Sequence, residues 1–204
     1  MIILDVDQGS DEWLQARLGI PTASAFSNIV TASFKASSSK AGYMGKLLAE
    51  YIKGEQQEQF TSKWTERGHD LEPSARIMYQ ALTDNKVEQV GMAYKTEDKD
   101  RSCSPDGLIQ RQKGLEIKCP KLANHIGYRL SGELPRVYKP QVHGSMYVCD
   151  IDQWDFMSYH PDDEPFLITV ERDYAIDRAI SKELDIFCEK LADEKAKIDA
   201  RAEF

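Results

Sequence analysis

The chain has 204 residues, 41% hydrophobic and 29% charged, which allows one domain with a substantial core and is an ordinary balance for a globular protein. Its net charge of −8 argues against a uniformly basic nucleic-acid-binding surface, although a sum can hide a basic groove between acidic faces. No apolar run approaches the roughly 20 residues that span a bilayer, and "MIILDVDQGS" lacks the basic and apolar regions of a signal peptide. The four cysteines, Cys103, Cys119, Cys149 and Cys188, contain no CxxC pair, so they are expected as core thiols without disulfide, zinc or iron–sulfur roles.

In chain order, "IILDV" (2–6) predicts a short strand. Ser10 offers an N-cap, with Asp11 and Glu12 in the first turn of a helix over "DEWLQARL" that Gly19 closes. "TASAFSNIV" predicts a second short helix, and the Ser/Lys-rich "TASFKASSSKAG" (31–42) a mobile loop. "YMGKLLAEYIKG" (43–54) is helical, and a Gln-rich connection follows. The helical pattern of 62–83 is interrupted by Gly68 and Pro73, which predicts a kink or two helices. From about 86 the period changes to that of strands. "KVEQVGMAYK", "RSCSPDGLIQ" and "GLEIKC" alternate, the last two joined through "RQKG". A helix to about 131 follows Pro120, and "YKPQVHGSMYVC" (138–149) fits helix or strand, Gly144 weakening the helix. Two strands around "PDDE" precede one long helix from Tyr174, with Ile176, Ile180, Leu184, Phe187 and Leu191 as its apolar stripe. This order predicts a single domain over 1–204 of α/β or α+β class, a central mixed sheet flanked by helices.

The chemistry concentrates in "CSPDGLIQRQKGLEIKCP" (103–120). On a strand, Glu116 and Lys118 share one face and Ile117 takes the other. Asp106 opens the neighbouring strand, within reach of Glu116. Two carboxylates held together repel unless a cation lies between them, and hard oxygen ligands suit Mg²⁺ or Mn²⁺, with the Ile117 carbonyl as a further donor. Such an ion lowers the pKa of a bound water and neutralises charge on a phosphodiester in hydrolysis, while Lys118 can orient the nucleophile or stabilise the transition state. The plainer alternative is a surface hairpin with a weak Glu116–Lys118 pair.

Asp106 followed by Glu116-x-Lys118 resembles the PD-(D/E)xK nuclease superfamily. "QGSDEWLQARLGIPTAS" (8–24), "SPDG" (104–107), "LEIKCP" (115–120) and "QVHGSM" (141–146) resemble the bacteriophage lambda exonuclease, or YqaJ-type viral recombinase, family, in order and spacing from residue 8 to about 173. The resemblance implies a restriction-endonuclease-like core and a Mg²⁺-dependent 5′→3′ exonuclease, for which Mn²⁺ substitutes. It also implies that the enzyme digests one strand of linear double-stranded DNA and leaves a 3′ overhang for recombination. A homotrimer, a single-strand annealing protein as partner, and a phage or prophage product acting in the bacterial cytoplasm without a membrane are implied with it.

By residue, the resemblance makes Asp106, Glu116 and the Ile117 carbonyl metal ligands and Lys118 the catalytic lysine. It makes Glu72 an acidic residue near the metal, although Pro73 departs from the family pattern, and Gln141 a contact of the attacking water or of nearby backbone. His143 stands where the family commonly has a second glutamine. Arg17, Ser24 and Ser104 match a pocket for the terminal 5′-phosphate; a guanidinium with two hydroxyls beside helix ends is a reasonable anion site on its own chemistry. Trp13, Trp64 and Trp154 are expected in the core, and His69, His125 and His160 as surface or core residues. The competing readings are a restriction-type endonuclease, which has no need of a terminal-phosphate pocket, and a DNA-end-binding module without catalysis, against which Asp106, Glu116 and Lys118 are all intact.

Overall fold

The computed structural model describes residues 1–56 and 63–202. Most of the Gln-rich connection lies outside them, as do the side chains of Trp64 and His69. A small antiparallel sheet joins β1 (Ile2–Leu4), β2 (Met92–Tyr94) and β3 (Ser102–Cys103). The larger sheet takes β4 (Gly107–Ile109), β5 (Lys113–Lys118), β6 (Gln153–Ser158) and β7 (Phe166–Glu171) in that order. It is mixed, with β5 and β6 parallel and the outer pairs antiparallel. The helices are α1 (Asp11–Ala16), α2 (Lys40–Lys53), α3 (Lys63–Thr83), α4 (Leu122–Ser131), α5 (Lys139–Cys149) and α6 (Tyr174–Ala202), with 3₁₀ turns at Ala23–Asn28 and Arg136–Tyr138.

Several boundaries differ from the sequence reading for local physical reasons. "RSCSPDGLIQ" is not one strand: Ser104 and Pro105 break it, so β3 belongs to the small sheet and β4 to the large one. Residues 138–149 are helical, and Gly144 serves packing rather than helix termination, since a Cβ there would lie 2.4 Å from the Phe26 ring. α3 continues through Pro73 as one helix. The proline forfeits one backbone bond, but Ala75 and Tyr79 beyond it are anchored with Leu115, Ile117 and Met157. The 31–37 loop is hydrogen-bonded: Thr31 N donates to Lys35 O, Ser37 N to Ile29 O, and Phe34 sets its ring edge-on against His143, 5.3 Å away.

The larger sheet lies between two helices. α5 is buried almost all round, its polar His143 and Ser145 included, and it touches both sheets, the first 3₁₀ turn and α6. α3 covers the opposite side of β5. α6 closes the core with Ile180, Leu184, Phe187 and Leu191, and Phe187 stacks on Tyr43 of α2 at 5.7 Å. Cys103, Cys149 and Cys188 are buried free thiols and Cys119 is half-buried. No helix among the described residues is long and apolar enough to cross a membrane.

A polar knot fixes α3 to the sheet. Asp155, in the middle of β6, accepts hydrogen bonds from Tyr79 Oη (2.7 Å), Thr169 Oγ1 (2.6 Å) and Lys113 Nζ (3.2 Å). A buried carboxylate is tolerated when it is bonded from several sides. Tyr79→Phe removes one of these donors and should lower stability by about 1–2 kcal/mol. Urea denaturation reads the difference, and an unchanged midpoint would mean that the knot does not tie α3 down.

Candidate active site

The hairpin register creates the site. Gly107 pairs with Leu115, so Asp106, one residue earlier, stands opposite Glu116. Asp106 N donates to Leu115 O at 3.1 Å, and Ile117 N donates to Asp106 Oδ2 at 2.6 Å. β5 then alternates: Leu115 and Ile117 go to the α3 side, while Glu116 and Lys118 meet in an ion pair on the other. Glu116 is 1% exposed, and its Oε1 also accepts from Gln141 Nε2 of α5 at 2.6 Å. Lys118 Nζ lies 5.3 Å from the ring centre of Tyr138, which packs against Phe156 and Tyr128 and so bounds the ammonium's movement.

Glu72 reaches the same corner from α3. Its Oε1 accepts from Arg76 Nη2 at 2.5 Å, one helical turn on, and Arg76 Nε donates to the Asp106 carbonyl at 3.3 Å. Gln8 Nε2 donates to the Pro105 carbonyl at 2.8 Å and to Val90 O at 2.9 Å. The loop bearing Asp106 is thus held on both flanks, by Arg76 and by Gln8. Arg76, Gln8 and Tyr138 were not singled out from sequence; the one available signal was the i, i+4 acid–base spacing of Glu72 and Arg76.

The electrostatics follow from burial. Asp106 is pushed well above the usual carboxylate range, first by desolvation and then by the neighbouring Glu116 charge, with Lys118 opposing. Glu116 is raised for the same leading reason and pulled back by Lys118 and Gln141. Burial works against the Lys118 ammonium, but Glu116 and Asp106 outweigh it and hold its proton more tightly than in free lysine. Ionised together, the two carboxylates exceed the one ammonium by a full negative charge in a desolvated corner.

That surplus fits a divalent cation. Among the described residues no three His, Cys, Asp or Glu side chains form a complete ligand cluster. Mg²⁺ needs none, because it commonly takes one or two carboxylates and keeps water or substrate oxygens elsewhere. Asp106, Glu116 and the Ile117 carbonyl have the right donor chemistry for such an ion.

The second polar centre adjoins the first. Arg17 Nη1 and Trp13 Nε1 each donate to Ser104 Oγ at 3.2 Å, and Trp13 Nε1 also donates to Gly91 O at 2.9 Å. The Arg17 guanidinium lies 4.1 Å from the centre of the Trp13 ring. Trp13 is therefore a half-buried wall of this site rather than a core residue. Arg17 and Ser24 line one cavity of about 350 Å³, with the Ser24 and Thr22 hydroxyls 3.0 Å apart. Desolvation lowers the Arg17 pKa, as expected of a cation kept from bulk water. On Arg17's other flank a cavity of about 460 Å³ extends to Glu72 and Arg76. Arg17 thus meets Ser24 across a shared cavity and Ser104 through a hydrogen bond, and Ser104 stands two residues before Asp106.

The remaining candidates divide. His143, two residues after Gln141, points elsewhere on α5, against Phe34, and burial lowers its pKa. His125 is a core residue bonded to Ser158 Oγ and Glu164 O, and buried His160 meets Arg67 at 3.0 Å. Trp154 is fully buried.

Residues 12–152 match the family model of the YqaJ-like viral recombinase domain. Among solved structures, the chain is similar to the alkaline exonuclease LHK-Exo from Laribacter hongkongensis, with 31% identity and a TM-score of 0.85 over 95% of this chain and 98% of that one. The structure of LHK-Exo in complex with dAMP matches with 30% identity and a TM-score of 0.84 over the same shares, 95% and 98%. A phage related exonuclease from Haemophilus somnus 129PT shares the fold, with a TM-score of 0.63 at 14% identity over 88% of this chain and 96% of that one. No curated protein matches the chain significantly.

The carboxylate pair gives the metal-free protein a definite pH dependence. The folded pKa of Asp106 is raised, so the native state keeps a proton that the unfolded chain loses near pH 4. Its stability contribution should therefore fall as pH rises from about 4 through the folded value, and level off above it. Mg²⁺ binds the ionised native pair and should raise the melting temperature by several degrees at neutral pH, but little in acid. Calorimetry with EDTA or Mg²⁺ measures both effects; Asp106→Asn should remove the Mg²⁺ effect and the Asp106 share of the pH dependence, leaving that of Glu116. A melting temperature indifferent to Mg²⁺ at pH 7–8 would deny the pair a metal-binding role.

Proposed function

The chain belongs to the YqaJ-like viral recombinase family, and from that premise we propose that it is a Mg²⁺-dependent DNA exonuclease. In this reading it removes nucleotides 5′→3′ from one strand of linear duplex DNA and leaves a 3′ overhang. The supporting observation is the junction of two chemistries on one loop. Ser104, bonded to Arg17, belongs to an anion site, and Asp106, beside Glu116 and Lys118, belongs to a hydrolytic one. An enzyme that cuts within a duplex has no use for the first beside the second. The related alkaline exonuclease supports the same reading.

Each residue then has a stated task. Arg17, Ser24 and Ser104 hold the terminal 5′-phosphate and so fix the next phosphodiester beside Asp106 and Glu116. Those carboxylates and the Ile117 carbonyl would hold the ion, which would supply activation of water and neutralisation of phosphoryl charge. Lys118 donates to the oxygens that gain charge in the transition state, or to the incoming water. Gln141 fixes Glu116 Oε1 and would contact the attacking water, as in the family. Glu72 adds negative potential at the corner and, through Arg76, steadies the Asp106 backbone. A homotrimer around DNA and a single-strand annealing protein as partner are part of the proposal and rest on the family alone; action in the bacterial cytoplasm is proposed on the same ground.

End-labelled linear duplex with Mg²⁺ provides the test. Label should be released from 5′ ends as mononucleotide, covalently closed circles should survive, and Ca²⁺ should not replace Mg²⁺. Lys118→Ala should reduce kcat by about 10²–10³-fold, the usual effect of removing one transition-state donor. Arg17→Ala should abolish the preference for 5′-phosphorylated over 5′-hydroxyl ends. Cleavage of closed circles would favour an endonuclease, and equal turnover by Lys118→Ala and wild type would remove Lys118 from the chemistry.

A further inference from the structure

The cavity that holds Arg17 and Ser24 also contains a charge of the wrong sign for an anion site. Glu50, on α2, is 5% exposed and lines that cavity together with Lys46, one helical turn earlier. Lys46 Nζ lies 3.7 Å from Glu50 Oε1, and Gly19 N donates to Glu50 Oε2 at 3.4 Å. Gly19 has φ +64°, and a Cβ there would lie 3.2 Å from Leu47 O and 3.3 Å from Tyr51 Cβ. The turn after Arg17 is therefore pressed onto α2, and Glu50 cannot be moved away from the guanidinium without disturbing that contact. The Glu50 charge acts on Arg17 and on Tyr43 across the cavity.

A count of charge shows what the arrangement does. Among the described residues lining the cavity, Arg17 and Lys46 are the cations and Glu50 is the anion. One carboxylate against two cations leaves the cavity a surplus of a single positive charge, with Glu50 paired to Lys46 rather than to Arg17. A terminal phosphate brings about −1.5 to −2 charges near neutral pH.

Building on the exonuclease reading, we propose that Lys46 and Glu50 are opposed binding residues that set how firmly the terminal phosphate is held. Lys46 supplies the attraction that selects a phosphorylated 5′ end. Glu50 limits that attraction, so that the mononucleotide left in the cavity after each cut, still carrying its 5′-phosphate, is released. An exonuclease that gripped this group too tightly would be inhibited by its own product at every step. A buried carboxylate paired with Lys46 and acting on Arg17 across the cavity is a direct way to weaken the grip without altering the shape of the pocket.

The two substitutions predict opposite signs. Lys46→Met should raise KM for 5′-phosphorylated duplex about tenfold, the size of one charge-assisted contact, while KM for 5′-hydroxyl duplex stays nearly constant. Glu50→Gln, close in shape and still able to accept from Gly19, should lower KM for phosphorylated ends. It should also strengthen inhibition by added deoxynucleoside 5′-monophosphate and lower kcat at saturation. Circular dichroism and thermal melting establish that each variant is folded. Shifts of the same sign in both variants, shifts equal on phosphate and hydroxyl ends, or no shift in either would overturn the assignment while leaving the pocket intact. A wild-type enzyme indifferent to the 5′-phosphate would instead remove the pocket itself, and the inference with it.

Discussion

The structure is organised around a small unbalanced charge: two carboxylates and one ammonium packed where water is largely excluded. Burial raises the pKa of both Asp106 and Glu116, and the Glu116 charge raises Asp106 further. The surrounding fold prevents the obvious escape, which is for the side chains to swing apart. Ile117 N holds one oxygen of Asp106, Gln141 and Lys118 hold Glu116, and Arg76 and Gln8 fix the backbone on either side of the Pro105–Asp106 link. These restraints come from β5, α5, α3 and the N-terminal segment. The corner is therefore only as well formed as the packing of those elements on one another. Pre-organisation of this kind lets a site stabilise developing charge without rearranging when the reaction occurs.

The same sheet carries a contrasting example. Asp155 is also a buried carboxylate on a strand, but it is met by a phenol, a hydroxyl and an ammonium. Such a group secures packing. The pair at 106 and 116 has two acids sharing one base, an arrangement that stabilises nothing by itself and makes sense when another cation is to arrive. Burial alone does not separate a structural acid from a functional one; the balance of charge around it does.

Much of this was legible in the chain because strand alternation and hairpin pairing are local rules. Glu116 and Lys118 on one face, Ile117 on the other, and Asp106 across the hairpin follow from period and spacing. The family was legible because four separated motifs occur in the right order. What escaped depended on tertiary contact. Gly144 read as a helix breaker because nothing in the sequence shows the Phe26 ring that requires its missing side chain. The division of 101–110 between two sheets depends on which neighbours β3 and β4 meet. Pro73 was overruled by the burial of Ala75 and Tyr79. Arg76 looks like any surface arginine until its fork is seen bridging Glu72 and a carbonyl. Trp13 counted as core by type, yet it serves as a wall because its indole N–H is needed by Gly91 and Ser104.

The division at Ser104 and Pro105 also bears on how the proposed reaction keeps register. Two residues of extended chain reach at most about 7 Å, so the hydroxyl that helps hold the terminal phosphate cannot drift far from the carboxylate that helps hold the ion. Proline adds stiffness to this link, with its fixed φ and restraint on the preceding residue, and the Gln8 bond to its carbonyl adds more. A tether this short spans about one nucleotide of a DNA strand. In the proposed reaction the site would cut one phosphodiester from an end because the end would be held at one side of the loop and hydrolysed at the other. No separate measuring device is required. Lengthening that link by a residue would leave every functional side chain in place and still spoil the spacing between them.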